Sequence, residues 1–288
     1  MIRYFLWRFC SILWRRLPLR VGYACATLVA DITYWAWPRG RAYARRSIGY
    51  ILDNGHSPAD IDSLARRSLR NYCKYLVDFI RFPVIDESEI QRRIVFDGWE
   101  NFDRALASGK GAVFVGLHLG NWDLAAAAIS LRRYPINVIA ESFSPAALNQ
   151  VVQQARAQKG MQVIPLERAP RRLLAALRRN EIVALLIDRP SPGDGVVVRF
   201  CNARMQVPSG AAMLSLRTGA PVVTGGLVRL PDNRFLGFVD PSLSFTPSGD
   251  IKMDVQALTQ EIMNSLERWV RRYPDQWYVF RPMWLGTD

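Results

Sequence analysis

The interpretation of this chain depends on one stretch, which reads Ala112-Val-Phe-Val-Gly-Leu117-His118-Leu-Gly-Asn-Trp-Asp123-Leu124-Ala-Ala-Ala-Ala-Ile129. Its first six residues are an uninterrupted apolar run, which predicts a short buried strand, and its last six predict a helix. We therefore expect His118 at the carboxyl edge of the strand and Asp123 in the first turn of the helix. In open α/β sheets, ligand crevices form at such edges.

His118 and Asp123 are a candidate pair for general base catalysis. An imidazole can take a proton from a hydroxyl, while a carboxylate holds the other ring N–H and stabilises the imidazolium. The only other histidine, His56, follows Asp-Asn-Gly and is expected in an exposed turn. A structural histidine at a strand end, with an aspartate favouring the positive end of its helix, is the alternative. The spacing alone leaves both open.

Composition favours one large α/β domain with a helical appendage, because 288 residues that are 50% hydrophobic can bury a large core. The four cysteines, Cys10, Cys25, Cys73 and Cys201, are widely separated. This spacing predicts neither a structural zinc site nor a disulfide framework, and it fits a location on the reducing, cytosolic side of a membrane. We expect no metal site.

The charge balance is strongly basic, with 38 Lys and Arg against 25 Asp and Glu and a formal net charge of +13. Such a balance suits an anionic partner. We find no zinc-finger spacing, no RNA-recognition aromatic block and no basic-region heptads, so we expect no nucleic-acid partner. An anionic membrane surface is the partner we predict.

The amino-terminal residues 1–38 favour a membrane-associating segment. Arginines at positions 3, 8, 15 and 16 alternate with Trp7, Phe9 and Trp14. We predict helices that lie in the membrane interface, with arginines toward phosphates and aromatic rings toward acyl chains. A marginal transmembrane helix interrupted by Asp31, or ordinary core helices, are the alternatives. Residues 39–288 then form the catalytic domain.

Residues after position 94 alternate between strand and helix patterns, which predicts a central, mostly parallel sheet flanked by helices. The predicted strands are 94–96, 112–117, 136–140, 162–164, 182–187, 196–199, 222–227 and 235–238. The predicted helices are 99–107, 124–131, 146–158, 169–178, 210–216 and 255–272. The fold class is therefore α/β, with the amino-terminal helical segment attached.

Further blocks accompany the His118–Asp123 motif in a fixed order. They are Ala140-Glu141-Ser-Phe with Asn149, Arg156 and Gly160, then residues 180–189 ending in Asp188-Arg189, then Val207-Pro-Ser209-Gly210-Ala, Thr218-Gly-Ala-Pro-Val-Val and Tyr273-Pro-Asp-Gln-Trp277. Together they resemble the bacterial lipid A late acyltransferase family. That family includes lauroyl and myristoyl transferases and the phosphatidylinositol mannoside acyltransferases of actinobacteria. The resemblance covers roughly the whole chain, and the aspartate form of the motif is closer to the mannoside branch.

The resemblance implies acyl transfer from a thioester of coenzyme A or acyl carrier protein to a glycolipid hydroxyl, at the cytoplasmic face of the plasma membrane. No cofactor is implied. His118 is then the general base and Asp123 the carboxylate that orients it. Backbone N–H groups near Asn121, or at Ser209 and Gly210, are candidates to stabilise the tetrahedral oxyanion.

Charged residues at the ends of the predicted strands are candidates for the acceptor groove. They are Glu141, Arg156, Asp188 and Arg189. Glu141 or Asp188 is also a candidate to assist His118, and a structural ion pair is the alternative for each of the four. Trp277 and its neighbour Gln276 are expected to pack and cap rather than to take part in the chemistry.

Two other functions fit the same sequence. A peripheral lipid-binding protein could keep the fold without turnover, although the intact His118 and Asp123 argue against that. A thioester hydrolase would differ from a transferase only in accepting water instead of a sugar hydroxyl.

Overall fold

The structure, a computed structural model, describes residues 17–52, 55–140, 144, 146–166, 169–189 and 195–286. Residues 1–16 of the predicted membrane-associating segment 1–38, and the candidate Glu141, lie outside these residues. Within them, the predicted α/β architecture is confirmed. A seven-stranded sheet forms the centre, and helices cover both of its faces.

Nine strands are described, and seven of them build the central sheet in the order β1-β9-β8-β2-β5-β3-β4. β8, β2, β5, β3 and β4 run parallel, while β9 is antiparallel to β8 and pairs in parallel with β1. The strands are β1 (Ile94–Asp97), β2 (Ala112–Gly116), β3 (Ile136–Ala140), β4 (Gln162–Pro165), β5 (Ile182–Leu186), β6 (Val196–Phe200), β7 (Ala203–Val207), β8 (Val222–Arg229) and β9 (Phe235–Val239).

Ten α-helices are described. They are α1 (Leu19–Ala36), α2 (Pro38–Ile51), α3 (Pro58–Arg81), α4 (Glu87–Arg93), α5 (Trp99–Leu106), α6 (Trp122–Leu131), α7 (Ala146–Gln158), α8 (Ala169–Arg178), α9 (Gly210–Thr218) and α10 (Ile251–Arg272). Local chemistry fixes several ends. Ser57 and Asp60 form a capping box at the start of α3, and Gly219 ends α9 with a left-handed φ of 70°.

The prediction was incomplete at the hairpin of β6 and β7. Residues 196–199 were expected to join the main sheet, but β6 instead pairs antiparallel with β7 in a separate two-stranded sheet. β7 was not among the predicted strands, and its last residue, Val207, was assigned together with Pro208 to a helix entrance. Its alternating burial, with Met205 and Val207 inside, is the strand signal.

Helices α1 and α2 pack against α3. Asp31, the only charge in the apolar part of α1, accepts hydrogen bonds from Arg70 Nη2 at 2.6 Å and Arg66 Nε at 2.8 Å. The opposite side of α1 leaves large apolar side chains exposed, namely Val21, Leu28, Val29, Ile32 and Trp35. Among the described helices, none has the length and apolar content that crossing a membrane requires.

Strand order places the candidate site. β2 and β5 are neighbours, with Gly116 opposite Leu186, so the residues that follow both strands meet at the same edge of the sheet. His118 follows β2, and Asp188 follows β5. The turn after His118 needs a glycine, because a Cβ on Gly120 (φ +61°) would lie 1.9 Å from the carbonyl oxygen of Leu227.

Candidate active site

His118 is held by Asp188. The His118 Nδ1 and Asp188 Oδ1 atoms are 2.6 Å apart, and the His118 backbone N–H donates to Asp188 Oδ2 at 2.9 Å. The Trp277 indole N–H donates to the same Oδ2 at 2.8 Å. Because Nδ1 faces a carboxylate, it carries a proton, and Nε2 is the ring nitrogen left to accept one.

The Asp188 carboxylate is almost completely buried, with 2% of its surface exposed. Burial by itself raises the pKa of Asp188, but the attraction of His118 and the hydrogen bonds from His118 and Trp277 outweigh it and hold the pKa well below its ordinary range. The carboxylate is therefore ionised at neutral pH, which suits it to stabilise an imidazolium.

The structure places Asp123 differently from the predicted pair. Its Oδ1 accepts from Arg156 Nε at 2.9 Å and Nη2 at 2.8 Å, and its Oδ2 accepts from the Tyr75 hydroxyl at 3.1 Å. No described contact joins it to His118. In the first turn of α6, the Asp123 side chain turns toward α3 and α7 instead of back toward the strand end. Asp188 therefore takes the orienting position that the sequence analysis gave first to Asp123 and, as an alternative, to Asp188.

The two candidate arginines have different surroundings. Arg156 on α7 is mostly buried and pairs with Asp123, and it also donates to Gln153 Oε1 at 3.1 Å. Arg189 is exposed, lies next to Asp188, and makes no ion pair or hydrogen bond in the part of the chain that the structure describes. Both line the cavity in front of His118, so of the two only Arg189 offers an uncommitted cation there.

A cavity of about 450 Å³, which we call the main cavity, opens in front of His118. Four neighbouring strands line it, β2 with Phe114 and Gly116, β5 with Ala184, β3 with Val138 and β8 with Gly225. Helix α6 covers it with alanines. Small side chains keep the space open. A Cβ on Gly225 would lie 2.5 Å from the Phe114 ring. The walls are mostly apolar and suit a hydrocarbon chain.

The predicted oxyanion donors are corrected in part. The Asn121 backbone N–H donates to the Leu227 carbonyl at 2.9 Å, and its side chain caps α6 at Leu124 N, so Asn121 is committed to the structure. Ser209 and Gly210 stand at the start of α9, and Gly210 lines the main cavity. The N–H groups of Gly210 and Ala211 in the first turn of α9, and of Trp122 and Asp123 in the first turn of α6, have no intrahelical acceptor by position. They are the remaining candidate donors.

Trp277 has a place in the site that the sequence analysis did not give it. Besides donating to Asp188, it bridges to Leu119, and the next residue, Tyr278, donates its backbone N–H to the His118 carbonyl at 3.2 Å. Gln276 fulfils the expected structural role, because it exchanges hydrogen bonds with the backbone of Arg229 at 2.6 and 2.7 Å. The sequence marked Trp277 through the motif Tyr273-Pro-Asp-Gln-Trp277. It could not show that Trp277 contacts Asp188, which lies 89 residues earlier.

Aromatic rings pack around the imidazole. The Trp122 ring meets the His118 ring edge to face, with centroids 4.7 Å apart, and Tyr75 packs on Trp122 at 4.2 Å. These contacts, together with Asp188, fix the plane of the imidazole. In the described part of the chain, no three Cys, His, Asp or Glu side chains come together as a metal site.

Comparison with known proteins identifies the family of the chain. The chain matches the family model of the bacterial lipid A biosynthesis acyltransferases over residues 1–286. It is 33% identical over 266 residues to the phosphatidylinositol mannoside acyltransferase of Mycobacterium tuberculosis strain H37Rv, covering 88% of this chain and 80% of the relative. The protein of the same name from Mycolicibacterium smegmatis is 30% identical over 262 residues, covering 89% and 84%. The chain belongs to the bacterial lipid A biosynthesis acyltransferase family and is an O-acyltransferase.

Proposed function

We propose that this protein transfers an acyl group from a thioester, of coenzyme A or acyl carrier protein, to a hydroxyl of a glycolipid of the phosphatidylinositol mannoside or lipid A precursor type. The observation that carries the proposal is the His118–Asp188 pair, with its 2.6 Å contact at the mouth of an apolar cavity. The relatives' names favour the mannoside acceptor.

In the proposed reaction, His118 Nε2 takes the proton of the acceptor hydroxyl as its oxygen bonds to the thioester carbonyl carbon. Asp188 holds the Nδ1 proton and stabilises the imidazolium. The tetrahedral intermediate then collapses, the carbon–sulfur bond breaks, and His118 returns the proton to the leaving sulfur. The products are an ester and a free thiol.

The charge on the carbonyl oxygen needs donors that are already in place. The first turn of α9, at Gly210 and Ala211, lines the main cavity and supplies backbone N–H groups at the positive end of a helix. The acyl chain of the donor would occupy the apolar part of the main cavity beneath α6. We assign Asp123 a positioning role, because with Arg156 it ties the start of α6 to α7.

Association with the cytoplasmic face of the membrane completes the proposal. Arginines alternate with aromatic residues in positions 1–16, and α1 exposes an apolar face that includes Leu28, Ile32 and Trp35. We therefore propose residues 1–38 as the segment that contacts an anionic lipid surface. Binding to anionic vesicles should weaken as salt rises, and the paired change Ile32→Gln with Trp35→Gln should weaken it at every salt concentration. Equal binding to neutral vesicles would contradict the electrostatic part.

A transfer assay tests the chemistry. The protein is incubated with palmitoyl-coenzyme A, with or without a phosphatidylinositol mannoside, while thiol release and the mass of the lipid are followed. Transfer predicts thiol release that depends on the lipid, and one added acyl chain per thiol. Equal thiol release without lipid would identify a hydrolase, and no release with any thioester and glycolipid pair would contradict the proposal. His118→Ala should abolish most of the transfer. His56→Ala, which replaces the other histidine, is the matched control and should keep it.

A further inference from the structure

A second cavity, of about 260 Å³, lies beside the catalytic pair. Asp188 and Arg189 line it, and Arg189 also lines the main cavity, so the two spaces meet at that residue. Its remaining wall comes from the junction of α1 and α2, from α3 and from the carboxyl-terminal segment. We call it the Arg281 cavity, defined by Trp37, Tyr72, Asp188, Arg189, Phe280 and Arg281.

The free charge in the Arg281 cavity is positive. Arg189 and Arg281 are exposed, and neither has an ion pair or hydrogen bond to any described residue. The carboxylate at its base is already satisfied, because both oxygens of Asp188 accept from His118 or Trp277. The planar guanidinium group forms paired hydrogen bonds with phosphate oxygens. The cavity therefore favours an anion with several oxygens.

Aromatic rings form the apolar wall of the same cavity. The Tyr72 and Phe280 ring centroids are 5.4 Å apart, and the Trp37 ring is 6.3 Å from Phe280. Trp37 can lie there only because position 40 is glycine, since a Cβ on Gly40 would come within 2.2 Å of the indole ring.

We propose that the Arg281 cavity binds a phosphate group carried on a ring, with Arg189 and Arg281 pairing with the phosphate and the aromatic wall packing on the ring. Two substrates of the proposed reaction share this chemistry: the inositol phosphate headgroup of the acceptor and the phosphorylated nucleotide of coenzyme A. The inference rests on the proposed function for the identity of the ligand. It adds a subsite and a residue, Arg281, that lines the second cavity and is not among the residues that line the main cavity.

Calorimetric binding of two soluble probes, glycerophosphoinositol and coenzyme A, tests the subsite without turnover. Arg281→Ala should weaken at least one probe about tenfold or more, which corresponds to about 1.4 kcal/mol. Arg281→Lys should fall between Ala and wild type, because it keeps the charge but loses the planar pair of donors. Gly40→Ala, which displaces Trp37 and changes no charge, should weaken the same probe.

Arg178→Ala is the matched control. Arg178 is exposed at the end of α8, shortly before β5 begins, and so lies toward the opposite edge of the sheet from Asp188. It should leave binding of both probes unchanged, and thermal unfolding should show that all four variants are folded. Equal affinity of wild type and Arg281→Ala for both probes, or no binding of either probe to wild type, would overturn the subsite.

Steady-state kinetics identify the source of the phosphate. If it belongs to the acceptor, Arg281→Ala raises the acceptor KM and leaves kcat and the donor KM nearly unchanged, and the reverse pattern assigns it to the donor. Wild-type transfer with both KM values unaffected by Arg281→Ala would overturn the subsite and leave the proposed function standing. Probe binding by a wild-type protein that transfers no acyl group would support the subsite and contradict the proposed function.

Discussion

Asp78 and Asp188 are both buried carboxylates that accept several hydrogen bonds, but their partners differ in whether they can change charge. Asp188 holds His118 at the edge of the main cavity. Asp78, in the last turn of α3, lies in a cluster with Tyr23, Arg93 and Arg229, where it accepts from Arg229 at 2.5 Å, Tyr23 at 2.6 Å and Arg93 at 2.9 Å. We call this the Asp78 cluster.

Both carboxyls have a lowered pKa. In each, burial raises the pKa and the partners lower it by more. Two partners of Asp78 are permanent cations, and burial raises the pKa of the third, Tyr23, far above neutral pH, so none of these partners exchanges a proton at neutral pH. The partner of Asp188 is an imidazole that lines a cavity. A perturbed pKa therefore marks a functional site only when one partner can change its charge and a substrate can reach it.

The largest expected effect is the loss of activity when His118 or Asp188 is replaced. His118→Ala should lower the transfer rate by about 10²–10⁴, the usual range for loss of a general base. Asp188→Asn should lower it by at least about 10², because an amide neither stabilises the imidazolium nor fixes its tautomer. Transfer kinetics on folded protein measure both. A His118→Ala enzyme with more than half of wild-type activity would contradict the role of His118 as general base, and Asp188 would then have no catalytic role that Asp78 lacks.

In the Asp78 cluster, Asp78→Asn should mainly affect stability. It leaves Arg229 buried without a countercharge and Arg93 with only Glu89, so the free energy of unfolding should fall by about 3–5 kcal/mol. Denaturant titration measures this. Asp232→Asn, which breaks an exposed ion pair with Arg234, is the control and should leave the midpoint unchanged. An equally small change for Asp78→Asn would mean that the cluster is dispensable.

A double-mutant cycle sharpens the position of Asp123 between these two extremes. Asp123 and Arg156 are in direct contact, so Asp123→Asn and Arg156→Gln should couple by about 0.5–3 kcal/mol in unfolding free energy. Asp123→Asn combined with His118→Ala should be additive in stability, because no described contact joins them. Strong coupling in the second cycle and none in the first would restore the predicted His118–Asp123 pair.

The smallest expected effect is a difference in acid sensitivity. The pKa of Asp78 in the folded protein lies below its unfolded value of about 3.9, so its contribution is complete above that pH and is lost as the pH falls toward the folded pKa. Below about pH 4, wild type should lose up to about 1.4 kcal/mol more per pH unit than Asp78→Asn. Unfolding titrations of both proteins at several acidic pH values measure the slopes. Parallel slopes would contradict the lowered pKa.

The sequence predicted the strands of the central sheet well because each is an apolar run bounded by turn residues. The position of His118 followed from the same pattern. Its partner did not, since spacing along the chain places Asp123 on α6 without saying which way its side chain points. Asp188 becomes the partner only through the adjacency of β2 and β5, which is a property of strand order. Trp277 was missed for the same reason, as its contact with Asp188 spans 89 residues.

The bridge between Trp277 and Leu119 also affects when the site forms during synthesis. Chains grow from the amino terminus at about 5–20 residues per second, and contacts between distant residues form late in folding. His118 can meet Asp188 once β5 has emerged from the ribosome, but the third donor to that carboxylate, the Trp277 indole, lies 89 residues further along the chain and emerges later. During synthesis, Asp188 therefore gains its hydrogen bond from Trp277 well after its contacts with His118 can form.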